Sequence, residues 1–196
     1  MITSRIKELG TIEIPLIEGE FSMLPFNLRT LEGLPENFKT IAKDLTKHLS
    51  FQDEIGFLTV HGKKLLKGDT LRRGGAHTDG SYDKKVLDWN SGGGWKVGEN
   101  GPAINSPEHK RLYLKETGGI IMASNYSACR AWEGTFQGLP DVGGDCSKLK
   151  LDEPFLLKSN TIYYGNNHFI HESIPMEKDV HRVFVRITLP ETHLWK

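Results

Sequence analysis

His181-Arg182-Val183-Phe184-Val185-Arg186-Ile187-Thr188-Leu189 alternates along its whole length. Val183, Val185, Ile187 and Leu189 make one apolar face, and Arg182, Phe184, Arg186 and Thr188 make the other. A period of two is the mark of a β-strand, because successive side chains leave opposite faces. If this strand is central, two guanidinium groups point into an interior, where an unpaired cation is costly. They would then need an anion. The competing expectation is an edge strand whose arginine face meets solvent.

Working outward, short strand-like runs separated by glycine and polar turns occur at Ile55–Val60, Gly119–Ser124, Arg130–Phe136, Phe155–Leu157 and Thr161–Tyr164. Such spacing favours a barrel or sandwich over alternating β and α units. One helix is expected, over residues 34–49. There Phe38, Ile41, Ala42, Leu45 and Leu49 share a face, and Pro35 suits a first turn. The chain therefore reads as mainly β with flanking helices. It has 196 residues, enough for one domain with a sizeable core. Residues 1–54 are expected as a flanking segment and residues 55–190 as the β core. Residues 89–101 carry Gly92, Gly93, Gly94, Gly98 and Gly101 between and beyond Trp89 and Trp95. A run this rich in glycine is expected as a long loop, and the two tryptophans hint at a lid over a ligand.

Composition narrows the functional classes. Lys+Arg and Asp+Glu are 25 each, a balance that argues against tight non-specific nucleic-acid binding. The two cysteines, Cys129 and Cys146, cannot build a disulfide framework and read as ordinary thiols in a reducing compartment. The N-terminus is too polar for a signal peptide, and no apolar run approaches membrane-spanning length. The expectation is a soluble cytoplasmic protein with a small-molecule or peptide substrate, its oligomeric state unspecified.

His77-Thr78-Asp79 places an imidazole and a carboxylate two residues apart, on one face of an extended chain. Alone the tripeptide is a weak signal. Its setting strengthens it, because Arg72-Arg73-Gly74-Gly75 before it and Gly80-Ser81 after it mark a strand–loop junction, where binding residues concentrate. Further along, His168 and His171 are two candidates for a third ligand. Being three apart they would face opposite sides of a strand, so one of them is expected to reach a metal. Two imidazoles and one carboxylate make the facial triad that leaves half of an iron coordination sphere open. Arg182, eleven residues after His171, adds a planar cation suited to a carboxylate. Arg72, Arg73, Trp95, Asn166 and Asn167 have plain surface or turn explanations and are not taken as sites on chemistry alone.

The order His77-x-Asp79, then His171, then Arg182 resembles that of the 2-oxoglutarate/Fe(II)-dependent oxygenases. The segment His171-Glu172-Ser173-Ile174-Pro175 is similar to the one that follows the distal histidine in that family, which favours His171 over His168. The resemblance covers roughly residues 55–190 and implies a double-stranded β-helix (jelly-roll, cupin-like) core. It implies Fe(II) held by His77, Asp79 and His171, with 2-oxoglutarate as co-substrate and O₂ as oxidant. Arg182 would bind the far carboxylate, and Arg186 resembles a second cofactor-binding arginine of some members. Because Asp79 is present, hydroxylation of a C–H bond, with release of succinate and CO₂, is the implied reaction. Two other classes fit the same residues. One is a cupin-like metalloprotein using Zn²⁺ or Mn²⁺ for non-oxidative chemistry, the other a non-enzymatic jelly-roll module.

Overall fold

In the computed structural model the described residues are 1–79, 117–141 and 144–195. The protein is mainly β and its sheets are antiparallel. The strands are β1 (Ile2–Ser4), β2 (Ile6–Thr11), β3 (Gly19–Asn27), β4 (Ile55–Leu65), β5 (Thr117–Ser124), β6 (Cys129–Trp132), β7 (Gly134–Phe136), β8 (Phe155–Leu156), β9 (Thr161–Gly165), β10 (Ile170–Ser173) and β11 (Val180–Leu194), with the helix α1 (Glu36–Thr46) between β3 and β4. The expected loop at 89–101, with Trp89 and Trp95, lies outside the described residues. No helix among the described residues is long and apolar enough to cross a membrane.

The last strand decides the architecture. In a six-stranded sheet ordered β2-β9-β5-β11-β4-β3, β11 is interior, with Val185 opposite Val60 on one side and Ala123 on the other. The edge-strand expectation is thereby excluded. Val183, Val185, Ile187 and Leu189 are all fully buried, in one cluster with Ile41, Ala42 and Leu45 of α1. Burying each such side chain is worth roughly 1.5–3 kcal/mol, which makes this face the main anchor of the helix. Pro35 is the N-cap residue of α1, outside the first turn, and Phe38 meets Phe21 of β3 edge-on at 4.7 Å.

The opposite face of the same sheet looks toward a smaller one, ordered β10-β6-β8. Met122, Tyr163 and Phe184 from the large sheet share a cluster with Cys129 and Ala131 of β6. Arg182 and Arg186 are on this inner face and both are buried. The run 130–136, expected as a single strand, is split. β6 pairs with β10 and β7 pairs with β1, and the run breaks at Glu133, just before Gly134 opens β7 with a φ of +143° that suits glycine. The strands β2 and β3 form the two edges of the large sheet, so that sheet extends into the 1–54 segment expected as flanking. Neither β1–β3 nor β10 stands out as a strand by its pattern. β2 and β3 carry bulges where they pair, and β10 is buried on both faces.

Candidate metal centre

Residues 76–78 lie between β10 and the 144–146 turn. His77 exchanges both backbone hydrogen bonds with His171, N to O at 3.0 Å each way. On its other flank Cys146 N donates to Ala76 O, and Thr78 N donates to Gly144 O, at 2.9 Å each. This pairing fixes the direction of each side chain. His77 and Asp79 point to the inner side, while Thr78, wholly buried, points away. Gly144 makes the close approach possible. Its φ is +78°, and a Cβ there would lie 2.1 Å from Thr78 O.

The structure brings His77, Asp79 and His171 together, with one ligand atom from each all within 4.8 Å of one another. His171 Nε2 is 3.4 Å from Asp79 Oδ2, and the two imidazole centroids are 4.6 Å apart. Right-angle donors at ordinary metal–ligand lengths lie about 3 Å apart, so small side-chain rotations would complete the set. His168 does not join. It is buried beside Thr3 and Arg5, near the N-terminus.

Both imidazoles are held in the tautomer that a metal needs. His77 Nδ1 donates to Gly75 O at 2.7 Å, and His171 Nδ1 donates to Phe169 O at 3.2 Å. With Nδ1 so engaged, Nε2 is the nitrogen that each ring turns toward the site. The Phe169 ring, stacked on His171 at 5.0 Å, fixes the second ring plane. Burial, reinforced by His171, pushes the His77 pKa down to about 3, so this imidazole is neutral. Burial alone would raise the Asp79 pKa, but the Arg186 guanidinium beside it overrides this and holds the carboxyl well below its ordinary value. An ionised carboxylate and two imidazole Nε2 atoms converging in a buried site can accept a cation in addition to the Arg186 guanidinium. The donors present fit a divalent metal.

The two sequence-predicted arginines have different surroundings. Arg186 Nη1 donates to Asp79 Oδ2 at 2.5 Å. The guanidinium expected on a co-substrate is thus on the metal-site carboxylate, which keeps further lone pairs for an ion. Arg182 lies wholly buried deeper along the strand. It donates to Ser124 Oγ at 3.2 Å, Ser173 Oγ at 3.1 Å and Cys129 Sγ at 3.1 Å. Burial raises the Cys129 thiol pKa against the pull of Arg182, so Arg182 has neutral partners throughout.

Some participants carry no sequence signal. Ser124, Cys129 and Ser173 meet Arg182 from three different strands. Gly144 and Asp145 flank His77 from a turn distant in sequence, with Asp145 opposite His77 in an isolated bridge. Arg72, set aside on sequence grounds, is on the inner face, its guanidinium 5.7 Å from the Phe184 ring centre. Asn166 is a structural residue, accepting from Arg5 N at 3.1 Å and donating to Thr3 O at 2.8 Å. Asn167 is buried as well, while Arg73 is exposed at a cleft of about 200 Å³ that reaches His77 and Asp145. Compared with protein-family models, curated proteins and solved structures, the chain has no significant match in any of the three.

Proposed function

We propose that the chain is a 2-oxoglutarate- and Fe(II)-dependent oxygenase that hydroxylates a C–H bond of its substrate, built on a double-stranded β-helix (jelly-roll) core. The observation that carries this reading is the convergence of His77, Asp79 and His171 beside a strand whose inner face bears two buried arginines. The antiparallel pairing and the two facing sheets support the jelly-roll.

His77 and His171 would bind Fe(II) through Nε2, and Asp79 through a carboxylate oxygen. Fe(II) bound there together with 2-oxoglutarate supplies O₂ activation coupled to loss of CO₂. The residues of the chain hold and orient. Gly75 O and Phe169 O keep both imidazoles in the ligating tautomer, and Arg186 keeps Asp79 ionised and aimed. Arg182 is four residues from Arg186, about 13 Å of strand, so a ligand along this face would run from the metal end toward it. Arg182, with the Ser124 and Ser173 hydroxyls, would receive the far carboxylate of the co-substrate. Fully desolvated, such a charge-assisted pair is strong and directional.

Anaerobic addition of Fe(II) and 2-oxoglutarate should produce the weak visible charge-transfer band of the chelate, and admission of O₂ should release succinate. A folded protein that binds Fe(II) yet shows neither band nor O₂-dependent succinate would refute the reading.

A further inference from the structure

The inner face holds more cation than one co-substrate needs. Phe184 lies between Arg182 and Arg186 along that face of β11, and the Arg72 guanidinium stacks over its ring. One guanidinium therefore lies over this aromatic ring, and two more come from the residues two positions before and after it on the same strand face. Among the described residues, Asp79 is the one carboxylate hydrogen-bonded to any of the three. Arg186 Nε is buried without a hydrogen-bond partner. A divalent metal on the triad and 2-oxoglutarate on Arg182 would still leave this face net positive.

Arg72 is held in place from behind. Its Nη1 donates to His61 Nε2 at 2.9 Å, and His61 Nδ1 is 3.1 Å from Glu20 Oε2. A single neutral tautomer satisfies both contacts, with Nδ1–H donating to the carboxylate and Nε2 accepting from the arginine. Glu20 is exposed and bonds the far nitrogen of the imidazole, so it orients the ring that Arg72 donates to. The relay fixes the guanidinium while using one of its five N–H donors. Arg72 is also partly exposed, unlike Arg182, which leaves it open to an incoming ligand.

We propose that Arg72 is an anion receptor separate from the co-substrate arginine, and that it binds a carboxylate of the primary substrate, a small carboxylic acid. The assignment to a substrate rests on the oxygenase reading, whereas the receptor itself does not. Two parallel N–H···O bonds from Arg72 would hold the carboxylate, and Phe184 beneath would exclude water from one side.

The test uses the full chain loaded with Zn(II) in place of Fe(II) and saturated with 2-oxoglutarate. The probes are trifluoroacetate and its neutral match trifluoroacetamide, followed by fluorine NMR line width. Trifluoroacetate should broaden and the amide should not. Arg72→Gln should abolish the broadening, and Arg72→Lys should keep part of it. If Arg72→Gln does not fold, His61→Asn, which removes the relay acceptor, must weaken the broadening instead. Equal broadening in wild type and Arg72→Gln, or equal behaviour of acid and amide, would overturn the receptor. So would broadening that appears without 2-oxoglutarate and disappears with it, because Arg72 would then belong to the co-substrate pocket. Uptake of 2-oxoglutarate is measured in the same samples. Arg72-dependent broadening without 2-oxoglutarate uptake keeps the receptor and removes the oxygenase reading.

Discussion

Arg186 Nη1 lies 2.5 Å from Asp79 Oδ2, so the carboxylate of the candidate metal site is also the partner of a buried cation from β11. A single group thus joins the central strand to the candidate metal centre. Taking away the cation leaves the carboxylate buried and uncompensated, which typically costs about 3–5 kcal/mol. Arg186→Gln should therefore lower the stability of the metal-free protein by about 3 kcal/mol in urea unfolding. Saturating Mn(II) should restore a larger share of stability to the variant than to wild type, because the ion supplies the missing charge. Equal metal stabilisation of both proteins would show that Asp79 does not face the ion.

The assignment of the third ligand is directly testable. His171→Ala and His77→Ala should each weaken anaerobic Fe(II) binding by more than about 100-fold, beyond the range usual for losing an outer-sphere partner. His168→Gln should leave it unchanged, since His168 is not among the three side chains that converge. Equilibrium dialysis with metal analysis reads both. Loss of binding in His168→Gln with retention in His171→Ala would exchange their roles.

Removing Arg182 should separate co-substrate from metal. Arg182→Gln should raise the 2-oxoglutarate concentration needed for half-saturation at least 100-fold, equivalent to about 3 kcal/mol for a desolvated charged pair, and leave Fe(II) affinity intact. Titration of the chelate band measures the first and dialysis the second. An unchanged 2-oxoglutarate requirement in a folded variant would remove Arg182 from the co-substrate site.

His168 predicts a loss of stability in acid. Burial, aided by the N-terminal ammonium, pushes its pKa down to about 4, against an unfolded value near 6.5. Between those values the unfolded chain holds a proton that the folded chain rejects. The stabilising contribution is complete above about 6.5 and is lost as pH falls toward 4, by at most about 1.4 kcal/mol per unit. The drop in unfolding free energy between pH 7 and pH 5 should thus be smaller in His168→Gln than in wild type. Equal drops in the two proteins would mean that His168 is not buried in its neutral form.

Gly144 connects backbone conformation to the candidate metal site. An alanine there must adopt φ +78° and press its Cβ onto Thr78 O, between the two ligands of the His77–Asp79 segment. Gly144→Ala should destabilise the fold by more than the roughly 1 kcal/mol of left-handed strain alone and should weaken Fe(II) binding. Gly68→Ala is the control. Its φ of +92° carries comparable strain, but a Cβ there meets nothing within 4 Å, so metal affinity should hold.

Periodicity in the chain identified β11, α1 and most of the core strands, because alternation and helical spacing are local consequences of which face is apolar. The His77-x-Asp79 spacing likewise placed an imidazole and a carboxylate on one side of an extended segment, and the chain brings His171, not His168, to within 4.8 Å of them. What periodicity could not supply is what stands opposite each face. That Arg186 takes Asp79, that Ser124, Ser173 and Cys129 enclose Arg182, and that Glu20 and His61 brace Arg72 are contacts between distant segments. Strand β11 shows why. Its arginines announced a buried charge needing a partner, but the partner of each depended on sheet order and register, which arise when the two sheets close on one another and desolvate that face.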